Sequence, residues 1–342
     1  MSDVFPSVLV VIVNYRTGNM VVDCLRSLEP DVQAHPGASV VIVDNDSGDD
    51  SAQTISAAIA TNDWASWASL VQAPINGGFA YGNNLAIDSA MKSTTPPELF
   101  WLLNPDTVIR PGALRTLTEF MANNTAVSIC GGGIEEANGE HWPYAFRFHG
   151  ILSEIERAAA FSPVSKLLSR RIVAQRMGPE PAQVDWVSGA TMMVRRTTVE
   201  RIGLMDEDYF LYFEEVDYCL QAHRAGLECW YLPSSRIMHI SGQSTGVTAK
   251  TDTPKRLPAY WFESRRRYFA KNHGRLYAAC SDVAWMLSYC LGSLRRWLQR
   301  KPGNSPPRLL ADFLRHSSLW HSHATCTAKT NRPDTPNGQG AA

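Results

Sequence analysis

The sequence predicts an α/β fold, a Rossmann-like, mostly parallel sheet flanked by helices, with a helical C-terminal extension. Three observations predict it. Apolar runs rich in β-branched residues recur in the first third, "SVLVVIVNY", "ASVVIVDND" and "ELFWLLNPD". They are continuous rather than alternating, the pattern of strands buried on both faces. Amphipathic segments separate them, which is the order of a doubly wound sheet. Each run also ends in small, polar or acidic residues, and in such sheets the ligand crevice lies beyond the carboxyl ends of the strands.

Taken in order, "MSDVFPSVLVVIVNY" reads as a buried strand rather than a signal peptide, because Asp3 precedes the apolar run and no small-residue cleavage site follows. "NMVVDCLRSLEP" sets Val21, Val22, Leu25 and Leu28 at helical spacing, and the helix is expected to stop at Pro30. After the second strand come a helix around residues 51–60, the short run "SLVQA", a helix over 84–91, and "ELFWLLNPD". Beyond "VSICGGGI" the pattern loses regularity, and residues 142–183 read as an inserted helical region. "DWVSGATMMVRR" predicts another strand, "YFLYFEEVDYCLQAHRAG" a helix closed by Gly226, and "ECWYLPSSRIMHISGQSTG" a strand and loop. "YAACSDVAWMLSYCLGSL" is near membrane-span length but holds Asp282, so it predicts an interfacial or packing helix. From about Pro302 the composition is that of a disordered tail.

Composition fits a folded chain: 44% hydrophobic and 19% charged over 342 residues is enough to bury a sizeable core. The charge is asymmetric. Up to residue 250 there are 17 basic and 28 acidic residues, and after it 15 and 5, or about −11 and +10. The basic part could meet nucleic acid or anionic lipid, or simply be a solvated helical surface. Seven cysteines without C-x-x-C spacing suggest neither a disulfide framework nor a zinc site and fit a reducing cytoplasm.

Four polar strand ends could line one crevice: Asn14-Tyr15-Arg16, Asp44-Asn45-Asp46-Ser47, Asn76-Gly77-Gly78 and Asn104-Pro105-Asp106. Each alone is an ordinary turn or cap; four in succession favour a ligand site. The densest acid cluster, "MDEDYFLYFEEVDYCL", puts Glu214, Glu215 and Asp217 in the first turn of a helix among aromatic residues. Those carboxylates could complement the helix dipole. Apolar surroundings would also raise their pKa and make them candidate general bases. His239, after an apolar strand, could join Asp106 in a divalent-metal site completed by phosphate oxygens and water. Gly242-Gln243-Ser244-Thr245-Gly246 matches a G-x-S-x-G elbow, but a polar, proline-interrupted stretch follows where that motif needs a helix. No P-loop or G-x-G-x-x-G spacing is present.

Together, "VVIVNYR", "VVIVDNDSGDDS", "NGGFAYGNN", "FWLLNPDT", "WVSGATMMVRR", "YFLYFEEVDYCLQAHRAG" and "MHISGQST" resemble glycosyltransferase family 2, inverting enzymes, in its rhamnosyltransferase-like branch, over roughly residues 6–275. The resemblance implies a GT-A fold over residues 1–250, with a nucleotide-sugar half to about 130 and an acceptor half after it. A basic amphipathic helical extension over 251–301 and the tail over 302–342 follow. Carried over by position, Asn14, Tyr15 and Asp44 would hold base and ribose, Asp44 accepting from the pyrimidine N3–H. Asn76, Gly78, Asn84 and Asn104 would lie near nucleotide and sugar. Asp106 takes the place of the last acid of the family's D-x-D motif, which holds Mg2+ or Mn2+ on the diphosphate, with Asn104 where the first acid stands; His239 would be a further ligand.

The same resemblance makes Glu214 or Glu215 the base, and gives Trp186, Ser188, Gly189 and Asp217 to the acceptor subsite. It implies transfer of a sugar, L-rhamnose from dTDP-L-rhamnose foremost, to a glycan or polyprenyl-diphosphate-linked acceptor in cell-envelope polysaccharide synthesis. UDP-GlcNAc and UDP-galactofuranose are alternative donors. The implied enzyme is cytoplasmic and peripheral on the inner face of the plasma membrane through residues 255–301, with no nucleic-acid partner. A serine hydrolase at Ser244 and a non-catalytic sugar-nucleotide binding module are the rivals from other classes.

Overall fold

The computed structural model describes residues 6–136, 138–142, 144–240, 254–301, 303 and 305–321. The chain opens with β1 (Val8–Asn14), α1 (Gly18–Gln33), β2 (Ala38–Asp44), α2 (Ser51–Thr61), β3 (Ala68–Gln72), α3 (Phe79–Met91) and β4 (Leu99–Leu103). β1 pairs in parallel with β2 and β4, and β2 with β3, so this half is the parallel sheet the apolar runs predict. Alternate residues of one strand serve opposite faces. Val8, Val10 and Ile12 pack with Val21, Leu25 and Leu28 of α1 and Ile55 of α2. Leu9 and Val11 pack on the other side, in the core that contains Ile87 of α3.

Next come β5 (Thr107–Ile109), α4 (Ala113–Asn123), β6 (Val127–Glu135), β7 (His141–Trp142), β8 (Tyr144–Phe146), α5 (Ile151–Ala159), α6 (Ser162–Leu167), β9 (Ala174–Arg176), β10 (Ala182–Gln183), β11 (Thr191–Arg195), α7 (Arg196–Ile202), α8 (Glu214–Arg224) and β12 (Glu228–His239). The sheet runs β10-β12-β6-β11-β4-β1-β2-β3. Here it is mixed: β11 lies antiparallel between β4 and β6, while β12 is parallel to β6. A strand buried on both faces shows the same apolar run whichever way it points, so the sequence did not reveal this reversal. The register sets Thr191 beside Leu103 and His239 beside Thr107. The start of β11 and the end of β12 therefore both reach the end of β4.

Several expectations are corrected. α1 runs through Pro30 to Gln33: in its last turn the proline forfeits one backbone bond, and its carbonyl still accepts from Ala34 N at 3.1 Å. α3 starts at Phe79, a turn before the apolar spacing shows. The region 142–183 is only partly helical, and β8 pairs with β9 in a separate two-stranded sheet.

Three more helices follow, α9 (Ala259–His273), α10 (Arg275–Leu298) and α11 (Leu309–Arg315). The last contradicts a disordered tail beginning at 302: its Phe313 is buried, with ring centroids 3.8 Å from Trp285. Nor does the α9 basic run form a free basic patch. Arg265 is buried between Glu154 of α5 and Asp282 of α10, and Arg266 donates to the carbonyl of His316. Arg267 pairs with Asp206 and Asp208, and Lys271 with Asp206 and Asp217. The basic extension thus spends much of its charge binding the acidic half. Asp282, which interrupts the apolar run, is the carboxylate that lets Arg265 be buried. Among the described residues no helix is long and apolar enough to cross a membrane.

Candidate active site

The ends of β1 and β2 are joined by buried polar groups. Asn14 donates through Nδ2 to Asp44 Oδ1 at 2.6 Å and to Ser47 Oγ at 3.1 Å, and its Oδ1 accepts from Thr17 N at 3.1 Å. The nearest donor to Asp44 Oδ2 is Ser47 N at 3.4 Å, so that oxygen retains acceptor capacity at the strand end. Tyr15 is half-buried and carries the Arg16 guanidinium over its ring, 5.1 Å from the centroid. Arg16 itself is anchored by Nε donating to Ser47 O at 2.9 Å. Asn45 Nδ2 reaches Asn76 Oδ1 at 3.1 Å and Gly78 O at 3.0 Å, tying the third strand end to the second. In the sequence Asn45 and Ser47 stand out only as polar strand-end residues; their roles as ties depend on contacts between strands.

At the end of β4, Asp106 is 5% exposed and its Oδ1 lies 3.2 Å from His239 Nε2. Asn104 Nδ2 lies 3.1 Å from the same nitrogen. Protonated, Nε2 donates to the carboxylate; unprotonated, its lone pair accepts from Asn104 Nδ2, and a cation bound there would take that amide's place. Among the described residues no lysine or arginine pairs with Asp106, and no group of three or more His, Cys, Asp or Glu side chains is arranged to hold a metal. A carboxylate oxygen beside an imidazole nitrogen fits a divalent ion that takes its remaining ligands from diphosphate and water.

The turn before β11 adjoins this point: Asn104 N donates to Ala190 O at 3.3 Å, and Ser188 closes the turn by accepting from Ala190 N and Thr191 N. Gly189 keeps this turn narrow: a Cβ added to it would stand 3.1 Å from the Phe79 ring and 4.0 Å from Cβ of Glu215. Thus the head of α8 and the end of β4 both adjoin this one turn.

The approach to α8 is strained. Tyr212 and Phe213 both have φ +70°, a left-handed conformation that bulky residues rarely adopt, at about 1–3 kcal/mol each. The surroundings hold them there. Phe79 N donates to Phe210 O at 3.0 Å, Ser264 Oγ to Leu211 O at 3.0 Å, and Asn84 grips Met205 through both backbone groups. Gly78, at φ +89°, lets this loop approach: a Cβ would stand 1.9 Å from Phe210 O.

Glu214 is buried and Glu215 half-buried, and among the described residues the Oε2 atom of each has no hydrogen-bond partner. Burial pushes Glu215 up to about 7. Burial, then the neighbouring Glu215 charge, hold Glu214 well above the usual carboxylate range. A carboxyl group titrating near neutrality with an unused oxygen suits proton abstraction.

Three residues assigned to binding by resemblance are otherwise engaged. Asn84 is consumed by Met205 and by Glu207, whose Oε1 accepts from it at 3.1 Å. Trp186 is buried, stacked on Phe146 at 4.1 Å, with its Nε1 donating to Arg147 O, so its indole offers no open platform for a sugar. Asp217 accepts from Lys271 Nζ at 2.7 Å and Asn272 Nδ2 at 2.6 Å, pinning α8 to α9. All three spacings look functional in sequence; in the fold, long-range partners engage each side chain. Ser244 and its glycine motif lie outside the described residues.

A model of the family described as glycosyltransferase-like family 2 matches residues 6–256. Over 214 residues, 59% of this chain and 67% of the relative, the sequence is 27% identical to N-acetylglucosaminyl-diphospho-decaprenol L-rhamnosyltransferase of Mycobacterium tuberculosis. It is 26% identical over 165 residues to rhamnosyltransferase WbbL of Escherichia coli K12, covering 47% of this chain and 60% of that one. The matched regions thus span about two thirds or less of these relatives' own lengths. Among solved structures, the mannosyltransferase PcManGT from Pyrobaculum calidifontis in complex with GDP-Man and Mn2+ superposes with a TM-score of 0.53 at 15% identity, over 92% of this chain and 79% of that one. At that identity the likeness is one of fold, and the fold is GT-A.

Proposed function

Because the chain belongs to glycosyltransferase-like family 2 and is a rhamnosyltransferase-like glycosyltransferase, we propose that it moves L-rhamnose from dTDP-L-rhamnose to a lipid-linked saccharide, with inversion, in cell-envelope polysaccharide synthesis. One observation carries the chemistry: a pair of acids with raised pKa, Glu214 and Glu215, and the strand end that holds the Asp106–His239 pair both adjoin the Ser188–Ala190 turn, through Glu215 and Asn104. The names of the relatives support the donor and the acceptor class.

Glu215 is the general base. It is the less buried of the two acids and borders Gly189 in the turn before β11. The carboxylate takes the hydroxyl proton as that oxygen attacks the anomeric carbon. The bond to the diphosphate oxygen breaks on the opposite face and its electron pair leaves with the nucleoside diphosphate. No covalent intermediate forms, so the configuration inverts. Burial and the neighbouring Glu215 charge favour the protonated form of Glu214, which leaves Glu215 as the carboxylate of the pair. Asp44, oriented by Asn14 and Ser47, accepts from the pyrimidine N3–H through Oδ2. Asp106 and His239 would hold Mg2+ or Mn2+, which offsets charge on the leaving diphosphate. Ser188 and Gly189 shape the acceptor side of the same turn. The enzyme works at the cytoplasmic face of the membrane, where nucleotide sugars and lipid-linked acceptors meet.

The test supplies dTDP-L-rhamnose, UDP-GlcNAc and UDP-galactofuranose separately, with Mg2+ or Mn2+ and a polyprenyl-diphosphate-linked GlcNAc acceptor, and reads product mass and anomeric configuration. Rhamnosyl product of inverted configuration is expected. Product from another donor only, or retained configuration, overturns the reading.

A further inference from the structure

The outer face of α10 is apolar along its whole length. Leu276, Val283, Leu287, Leu291, Leu294 and Leu298 recur at helical spacing and are exposed, from 40% at Val283 to 80% at Leu276, with Trp297 at 73%. Cys280 and Cys290 are the exposed residues between them. The stripe is about 33 Å long at the rise of an α-helix. No exposed acid interrupts it: between residues 275 and 321 the two acids are Asp282, buried against Arg265, and Asp312, buried against Arg256. Basic residues stand at both ends, with Arg275 exposed at the start and Arg300 and Lys301 exposed just past the end. Arg295 lies over the exposed ring of Phe161, 4.2 Å from its centroid, which widens the apolar surface at that end. Gly292 brings α10 close to the end of α5, where a Cβ would stand 2.5 Å from Ala159 O, and Ala278, Ser281, Asp282 and Trp285 of the opposite face are buried.

From this we infer that α10 is the membrane-docking element, lying flat on an anionic bilayer with Leu276 to Leu298 in the interface and its terminal cations against lipid phosphates. A continuous leucine face, a tryptophan at one end and flanking arginines and lysine are what an interfacial helix needs, and the length and polarity do not make it a span. A cleft of about 460 Å³ lined by Tyr289, Arg296, Trp297, Lys301 and Arg308 opens at the basic end, with the charge and aromatic rim suited to a phosphate headgroup.

Other occupants fit less well. Residues 241–253 contain one Val, and 322–342 contain no Leu, Ile, Val, Met, Phe or Trp, so neither segment can cover the stripe. A second copy would set cations against cations. Antiparallel, the Arg300 end of one helix would meet the Arg275 end of the other; parallel, like ends would meet; neither brings an exposed acid from this region.

This inference deepens the lipid-linked acceptor reading, yet it is tested without sugar transfer. The full chain is floated with vesicles of phosphatidylcholine alone and of phosphatidylcholine with phosphatidylglycerol. The comparison includes a combined Leu287→Gln, Leu291→Gln, Leu294→Gln variant and an Arg300→Glu, Lys301→Glu variant. Because the exchanged leucines face solvent, melting temperatures should match the wild type. Flotation with anionic vesicles, lowered about tenfold in each variant and weakened by salt, is the expected result. The inference is overturned if the wild type stays with the soluble fraction, or if the leucine variant floats as well as the wild type. It is equally overturned if light scattering shows a wild-type dimer that the leucine variant converts to monomer without any vesicle binding. Any of these leaves nucleoside diphosphate release unaffected, so failure here is separable from failure of the glycosyltransferase reading.

Discussion

His239 Nε2 stands 3.2 Å from Asp106 Oδ1, because β12 runs antiparallel to β5 with His239 opposite Thr107. Backbone pairing therefore fixes the two side chains, with Ile240 N donating to Asp106 O at 3.0 Å as a further tie. If they hold the cation, Asp106→Asn should lower turnover by about 100-fold or more and abolish its response to Mg2+ or Mn2+. Nucleoside diphosphate release at graded metal concentrations checks this, with the melting temperature as control. A variant that keeps both turnover and metal response removes Asp106 from the metal role.

The acid pair gives a kinetic prediction. With Glu215 pushed up to about 7, turnover should fall on the acid side of neutrality as the base is protonated. Glu215→Gln should lose about 10²–10⁴-fold in turnover while binding donor normally. Glu214→Gln should retain more activity and leave the acid limb near its wild-type position, since burial and not a Glu214 charge is what raises Glu215. Isothermal titration with the donor and a pH–rate profile separate the outcomes; loss in Glu214→Gln alone would exchange the two roles.

The same shift has a stability consequence. A carboxyl whose folded pKa lies above its unfolded value binds its proton more tightly when folded. Its contribution is therefore most favourable below about 4.5 and is lost as pH rises toward about 7. Relative to wild type, Glu215→Gln should gain stability between pH 5 and 8, by roughly 2–3 kcal/mol from that linkage. Chemical denaturation at several pH values measures it, and a stability difference that does not change with pH contradicts the raised pKa.

Gly78 has a conformational and a steric reason to be glycine, namely φ +89° and the carbonyl of Phe210 where a Cβ would stand. Gly78→Ala should cost about 2–4 kcal/mol and loosen the Met205–Phe213 loop that aims α8. Thermal melts and proteolysis within that loop would show it. An unchanged melt would mean the loop does not need this approach.

Asp217 separates a structural from a binding role. Its carboxylate joins Lys271 and Asn272, so Asp217→Ala should destabilise by about 2–4 kcal/mol. Well below the melting temperature its KM for acceptor should match the wild type. A raised KM with an unchanged melt would return it to the acceptor subsite.

The sequence by itself determined the parallel half of the sheet and the positions of the strand ends, because burial on both faces demands continuous apolar runs and a crevice demands polar termini. It also marked Asp106, His239 and Glu214–Glu215, whose chemistry is rare enough beside apolar segments to stand out. Only the tertiary structure decided which polar residues are occupied. Asn84, Asp217 and the α9 arginines carry the same side-chain types as a binding site, but partners far away in the chain consume them. It also decided the direction of β11, since strand polarity leaves no trace in hydrophobicity. α10 belongs to both: its apolar residues are plain in the sequence, but the packing of its other face on α5 and α9 is what leaves the leucines exposed.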